Sequence, residues 1–397
     1  MLVENTSTLK NLLGSIDVHD FINHYWEKSP LRVQYNSDKP YQSILTIEDV
    51  DRILSTNRFA PHELRMAQHD SIIIRHQYCS DLNGHCEVDI SKVLDLYSKG
   101  ASIILNSLHK VWPSLKSLCS TLEIELLSSV QVNVYLTPPS SQGFSHHYDT
   151  HDVFILQLEG LKRWNIYGSP IPLPLKTQPH DSDTHNRGPI QDNFLLNPGD
   201  SLYLPRGYIH EAQSTHLPSL HATIGIVSFK WVQLIHEAVG IVAESDASFR
   251  HRVPLMKDQA SFFSFGAKEE YNELIDRLKE GSILDEAFHR LRKRFINERS
   301  PIKTGRLVNI NHIQDINLKT KVKCPENLIL SIENKSATIE LLVGKKVIQF
   351  PGYVQKSLRH IISRKEFEII AMEGDLDKEG KLVLAKRLVK EGVLLVC

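Results

Sequence analysis

Gln131–Tyr167, QVNVYLTPPSSQGFSHHYDTHDVFILQLEGLKRWNIY, is the stretch on which the fold assignment turns. VQVNVYLT alternates and is β-branched, which predicts a strand. PPSSQGF predicts a loop. DVFILQLEG predicts a second strand and KRWNIY a third, with Gly160 at the turn, so the last two are expected to form a hairpin. Between the loop and the second strand lie His147 and Asp149. In an extended segment residues i and i+2 point to the same side, so this pair can grip one ion. A third candidate ligand, His210, follows 63 residues later in PGDSLYLPRGYIH. Two histidines and one carboxylate form the ligand set of a non-haem Fe(II) facial triad. His146 and His151 crowd the same segment. His147 is preferred because it stands two before the acid; His151 follows it in the reverse order. Two other readings stay open on spacing alone: a cupin-like barrel whose histidines only hydrogen-bond in a polar mouth, and a zinc or manganese site.

The neighbouring residues suit a chelating cosubstrate. Three protein ligands on one face leave octahedral iron three open positions, two for a chelating 2-oxo acid and one for oxygen. Such an acid carries a distant carboxylate that needs a cation inside the barrel. Lys162, 15 residues after His147, is placed to supply it, with Tyr135 as hydrogen-bond partner. Asn133 shares Tyr135's strand face and is a candidate to steady the metal-side carboxylate or the oxygen. The alternatives are a solvated strand lysine and a satisfied interior asparagine. Gln157, Trp164, Tyr148 and the His-rich 176–187 stretch are weaker candidates for the mouth, with plain packing or solvent exposure the favoured reading.

Outward from this core, residues 168–193 are rich in Pro, His and Asp without periodicity, which predicts a long surface loop across the barrel mouth. NPGD and RGY are turns around the strand SLYLP, and LHATIGIVSF is a closing strand. Many short strands between Gly/Pro turns predict a small β-barrel or jelly roll. Upstream, Asp17 caps a helix through FINHYWEK, and Thr46 caps another through IEDVDRIL. LRVQY, SIIIRHQY and ASIILN predict strands. Downstream of Phe229 the period changes to that of helices, with Trp231, Leu234, Ile235, Ala238, Val239 and Val242 on one face. Tyr271, Leu274, Ile275, Leu278 and then Leu284, Phe288, Leu291, Phe295 repeat it. Such a block is expected either to make a subunit contact or to pack on its own barrel. From about Gly305, strands and helices alternate in a pattern that fits a winged-helix-like module.

Composition adds only broad limits. The chain has 397 residues, 41% hydrophobic and 23% charged, with net charge −1, so global charge argues for neither a nucleic-acid nor a membrane partner. The basic run HRLRKRFINERSPIKTGR is a local candidate for RNA contact, against the blander reading of a solvated helix face. Five scattered cysteines predict a reduced, intracellular protein. No signal peptide is expected at the N-terminus, and no apolar run is long enough for a membrane span.

GFSHHYDTHDVFILQLEGLKRWNIY closely resembles the JmjC-type ribosomal oxygenases, cupin-fold protein hydroxylases dependent on 2-oxoglutarate and Fe(II). FINHYWEKSPLRV, KGASIILNSLHKVWPSL, NVYLTPP, NPGDSLYLPRGYIHEA and QFPGYVQKSLRHI extend the resemblance over nearly the whole chain. It implies an α+β chain: a JmjC/cupin double-stranded β-helix with N-terminal helical elements over 1–229, a helical dimerisation region over 230–304, and a winged helix over 305–397. It places the iron ligands on His147, Asp149 and His210 and the 2-oxoglutarate contacts on Lys162, Asn133 and Tyr135. It implies O2 as cosubstrate and no catalytic side chain beyond the ligands. Some bacterial relatives carry Arg where Lys162 stands, and Lys resembles the branch that hydroxylates histidine rather than arginine in ribosomal proteins. Lysyl demethylation, arginine hydroxylation and non-catalytic RNA or protein binding are the competing functions. A ribosomal protein substrate, rRNA contact, a homodimer and a cytoplasmic location, or a nuclear or nucleolar one in a eukaryote, are further expectations. The chain departs from the family after His210, where EAQSTHLPSLHATIG is short and a cosubstrate-contacting serine has no clear counterpart; Ser219 and Thr223 are the two candidates.

Overall fold

The computed structural model describes residues 8–35, 41, 43–68, 71–82, 85–253, 266–299, 306–325, 328–363 and 365–397. They form two compact units, 1–228 and 229–397. The domain boundary expected near residue 305, and residues 300–305 of the basic run, lie outside the described residues.

The first unit is built on two antiparallel sheets. Its strands are β1 (Leu31–Val33), β2 (Leu64–Gln68), β3 (Ser71–Ile72), β4 (Cys79–Leu82), β5 (His85–Val88), β6 (Ser102–Leu105), β7 (Ser129–Thr137), β8 (Asp152–Glu159), β9 (Lys162–Ile166), β10 (Asp192–Leu196), β11 (Ser201–Leu204), β12 (His210–Ser214) and β13 (Ser219–Val227). The large sheet runs β1-β11-β8-β13-β7-β6-β2-β3, the small one β10-β9-β12, and β4 and β5 pair with each other as a two-stranded ribbon apart from both. Val153 and Ile155 of β8 and Leu202 and Leu204 of β11 pack with Trp164, Ile166, Phe194 and Leu196 of the small sheet. The opposite face of the large sheet, with Val130, Val132, Val134, Phe154, Leu156 and Ile224, joins Leu9, Leu12, Leu13, Phe21 and the helix Pro113–Leu126 in the main core. β8 is therefore buried on both faces, which is why DVFILQL is nearly continuous in apolar residues. β7 alternates because only one of its faces meets the main core; the other points between the sheets.

The hairpin expected of β8 and β9 does not exist. β8 pairs with β11 and β13, whereas β9 pairs with β10 and β12. Gly160 turns the chain from one sheet into the other. Its φ is +65°, and a Cβ there would stand 1.9 Å from the Pro218 carbonyl oxygen, so only glycine fits the corner. Two shorter differences have similar local causes. Of SIIIRHQY, only Ser71–Ile72 is strand, at the sheet edge, and Arg75–Gln77 is a 3-10 turn. The helix capped by Asp17 ends at His24, before Glu27 takes a φ of +57°; Tyr25 and Trp26 follow it in a turn, and Trp26 stacks on Tyr203. Thr46 caps its helix as expected, in a reciprocal pair with Asp49.

The second unit opens with helices Trp231–Ser245, Ala267–Arg277 and Gly281–Asn297. An antiparallel sheet of Leu330–Asn334, Thr338–Val343 and Lys346–Pro351 follows, with helices Gln355–Ile362 and Lys378–Glu391 around one apolar core. Among the described residues no helix is long and apolar enough to cross a membrane.

Candidate metal centre

Two segments meet at the open end between the sheets. The loop after β7 carries His147 and Asp149, and the start of β12 carries His210. His147 and His210 form an isolated antiparallel bridge, with N–H to carbonyl distances of 3.0 Å and 2.8 Å in the two directions. The Gly207 N–H donates to the Asp149 carbonyl at 3.0 Å, so the second ligand is tied to the same turn. One donor atom from each of His147, Asp149 and His210 lies within 4.8 Å of the other two. The imidazole rings of His147 and His210 are 4.6 Å apart, and His210 Nε2 stands 3.9 Å from the Asp149 carboxylate.

The tautomers suit ligation. Nδ1 of His147 donates to the Ser145 carbonyl at 2.8 Å, and Nδ1 of His210 to the Tyr208 carbonyl at 3.0 Å. Each ring therefore turns a bare Nε2 into the cavity, as metal-binding histidines do. Burial pushes the His210 pKa down to about 4, with the His147 ring adding to the effect. Burial by itself would raise the Asp149 carboxyl, but His151, His147 and His210 bring it below its ordinary value. At neutral pH His210 is therefore a neutral imidazole and Asp149 a carboxylate, the protonation states a divalent cation needs.

The cavity runs inward from this centre past Phe144, Val153, Ile155, Trp164 and Ala212 to a polar floor. It offers about 70 Å³ to water centres, against the roughly 10–15 Å³ that one water requires. Lys162, at the start of β9, is buried on the floor. Its ammonium donates to Thr137 Oγ1 at 3.0 Å and His221 Nδ1 at 3.4 Å, both neutral groups. Burial alone brings its pKa down to about 7. Burial and then the lysine's charge hold His221 well below the usual imidazole range. Tyr135 stacks on His221 at 4.7 Å, and burial, then the Asp149 charge, push its phenol up to about 12.

Of the residues expected from sequence, His147, Asp149, His210, Lys162 and Tyr135 all face this one cavity. Asn133 stands just behind it: its Oδ1 accepts the Ser107 N–H at 2.9 Å, fastening β7 to the preceding segment, and its side chain also hydrogen-bonds the Tyr135 hydroxyl. Gln157 lies at the Gly160 corner, where its amide donates to the Glu159 and Gly160 carbonyls and to Ser219 Oγ. That bond occupies Ser219, whereas Thr223 lines the cavity. Tyr148 holds the 168–191 loop, its hydroxyl donating to the carbonyls of Gln178 and Pro179 at 3.0 and 3.2 Å. Sequence reading missed Thr137 and His221. Their signal was present in the period-two alternation, which puts both on the inward face beside Tyr135.

Comparison with known proteins agrees with this geometry. A family model described as a JmjC domain matches residues 108–234. A bifunctional lysine-specific demethylase and histidyl-hydroxylase NO66 from Drosophila persimilis is 34% identical over 220 residues, 55% of this chain and 31% of that protein. The NO66 of Dictyostelium discoideum is 27% identical over 99% of this chain and 83% of its own length. Residues 108–234 thus match a JmjC domain, and the chain is similar to JmjC-type histidyl-hydroxylases. The JmjC segment spans the helix Pro113–Leu126, both sheets from β7 onward and all three residues of the candidate triad. The chain spans about a third of the length of the Drosophila relative it matches. An X-ray structure of E. coli ycfD shares the fold, with a TM-score of 0.57 and 14% identity over 96% of this chain and 99% of that one.

Proposed function

We propose that the protein is a 2-oxoglutarate- and Fe(II)-dependent dioxygenase that hydroxylates a histidine β-carbon in a ribosomal protein. One observation carries the reading: a buried lysine with only neutral partners sits on the floor of the cavity whose rim bears the two-histidine, one-carboxylate set. A buried cation without a counter-charge is costly unless a ligand brings one. The rim fits a divalent metal and the floor fits a carboxylate, which is what a metal-chelating dicarboxylic acid requires. His147, Asp149 and His210 would hold the iron; Lys162, Thr137 and Tyr135 would hold the far carboxylate. When bound, iron and 2-oxoglutarate together supply the oxidising power for inserting oxygen from O2 into a C–H bond. The protein's part is placement. Lys162 and Thr137 fix one end of the diacid, the paired Nδ1 bonds hold the two imidazoles in register, and Phe144, Val153, Ile155 and Trp164 keep the interior dry.

The choice of a histidyl target rests on the relatives, whose names give histidyl hydroxylation beside lysine demethylation. The decisive experiment incubates purified ribosomes with wild type and Asp149→Ala in the presence of Fe(II) and 2-oxoglutarate, read by intact-mass spectrometry. A 16 Da gain with wild type alone is expected. No gain and no succinate would overturn the reading, and formaldehyde release from methylated peptides would redirect it to demethylation.

The second unit supports two further assignments within this proposal. Trp231, Ile235, Leu284 and Phe288 leave apolar surface exposed on the helices 231–245 and 281–297, which suits a homodimer contact. The sheet and helices beyond residue 320 have the makings of a winged helix. Its lysines and arginines, together with those at 290–294, suit rRNA contact, and cytoplasm or nucleus is the matching location.

A further inference from the structure

The two segments that bring the triad together are cross-linked a second time, below the ligands, by charge. Asp152 stands three residues after Asp149, at the first position of β8. Arg206 stands four residues before His210, in the turn that follows β11. Both side chains are almost wholly buried, and Arg206 Nη1 lies 2.9 Å from Asp152 Oδ2. The Arg206 N–H donates to Asp152 Oδ1 at 3.2 Å, so the carboxylate holds the arginine's main chain and side chain together. Tyr203 OH reaches the same Oδ1 at 3.4 Å. Gly207 adds its N–H bond to the Asp149 carbonyl, and its φ of +93° belongs to a crowded turn in which a Cβ would stand 2.5 Å from the Ile171 carbonyl oxygen.

The same arginine reaches outside the barrel. Its Nη1 also contacts the carboxylate of Glu27, and the Glu27 backbone N–H donates to Tyr203 OH at 2.9 Å. Tyr208 OH donates to the Lys28 carbonyl at 2.9 Å. The turn before His210 is thus fastened on one side to the Asp149 segment and on the other to the turn at residues 25–28. A salt bridge buried this deeply adds little net stability over an apolar pair, and its best-attested use is to fix register.

Building on the metal-centre reading above, we propose that the Asp152–Arg206 ion pair is a positioning device that sets the spacing between Asp149 and His210, and so the affinity for the metal. Arg206 and Asp152 touch no candidate ligand side chain. They act through the backbone of the two segments, each within four residues of a ligand. The Glu27 contact belongs to the outer half of the cluster and braces the turn without joining the two ligand segments.

The test is titration of the full-length apo protein with Co(II), read by its visible absorption bands, beside a thermal melt. Asp152→Asn keeps an oxygen for the Arg206 N–H but turns an amide NH2 towards the guanidinium. Its Co(II) affinity is expected to fall about tenfold or more, as for partners that orient metal ligands, with altered band positions at temperatures well below its melt. Glu27→Gln is expected to lower the melting temperature with Co(II) affinity within twofold of wild type. If Asp152→Asn fails to fold, Arg206→Lys, which keeps the charge and loses the fork, is read in its place against the same expectation. A folded variant with unchanged Co(II) affinity and bands overturns the positioning role. So does Glu27→Gln weakening Co(II) as much as Asp152→Asn, since that would be general destabilisation. Wild type that takes up no Co(II) removes the metal centre itself, an outcome separate from either of these.

Discussion

The two ends of the cavity satisfy their polar groups in opposite ways. At the rim, each histidine spends its Nδ1–H on a backbone carbonyl two residues earlier, and the bare Nε2 atoms and the carboxylate are left to converge. At the floor, the Lys162 ammonium has a hydroxyl and a neutral imidazole for company. The rim is short of positive charge and the floor is short of negative charge. Neither end is best explained as packing, because a structural site would pair its own charges. The contrast suits a metal at one end and an anion at the other, with Phe144, Val153, Ile155 and Trp164 lining the passage between.

The largest expected effect comes from emptying the rim. Asp149→Ala removes the carboxylate of the candidate set and leaves its two imidazoles. Co(II) binding and 2-oxoglutarate turnover should both fall to background, measured by titration and by succinate formation. Retained metal binding in that variant would mean the ion is held elsewhere.

Next is the floor. Lys162→Met should raise the KM for 2-oxoglutarate on the order of 100-fold, the usual cost of deleting one partner of a buried charge pair, while Co(II) still binds the rim. The lysine also makes a stability prediction whose sign follows from its burial. Its pKa is about 7 in the folded protein and near 10.4 in the unfolded chain. Between those values the unfolded state binds more protons, so the ligand-free protein should gain stability as pH rises from 7 to 10, by up to about 1.4 kcal/mol per pH unit from this group. Lys162→Met should lack that component and should be the more stable protein at pH 7. Denaturant melts of both proteins across this range check it, and parallel curves would show that the lysine is already paired.

A smaller effect is expected where the 168–191 loop meets the rim. Tyr148→Phe loses the hydroxyl that donates to Gln178 and Pro179, a contribution of about 1 kcal/mol. Faster limited proteolysis within 176–188 is expected, with the KM for 2-oxoglutarate unchanged.

How much of this was legible beforehand differs between the same two ends. The rim could be read from local spacing, since His147 and Asp149 stand two apart and His210 follows a recognisable strand-turn pattern. The floor residue Lys162 could be anticipated from chemistry, because a diacid needs a cation. Its partners were only half legible: alternation puts Thr137 and His221 on the inward faces of β7 and β13, but their meeting at Lys162 depends on which strands pair. Pairing is where sequence reading failed. Gly160 reads as a hairpin turn because a tight turn and a sheet-to-sheet corner both call for a positive φ, and only the Pro218 backbone distinguishes them. The ion cluster of Asp152, Arg206 and Glu27 was equally hidden, since its members are scattered over nearly 180 positions and each is an ordinary charged residue on its own.

The smallest expected effect tests the boundary of the site. Asn133 shares a strand face with Tyr135, and on that ground it was expected to serve the cosubstrate. In the structure its carbonyl oxygen accepts the Ser107 N–H, and it stands outside the cavity lining. Asn133→Ala should therefore cost about 1 kcal/mol of stability, the usual worth of one half-buried hydrogen bond. The KM for 2-oxoglutarate and the Co(II) affinity should stay within twofold of wild type. A tenfold rise in that KM with an unshifted melt would put Asn133 inside the site, and the anion end of the cavity would then extend two residues further along β7 than the floor described by Lys162, Thr137 and Tyr135.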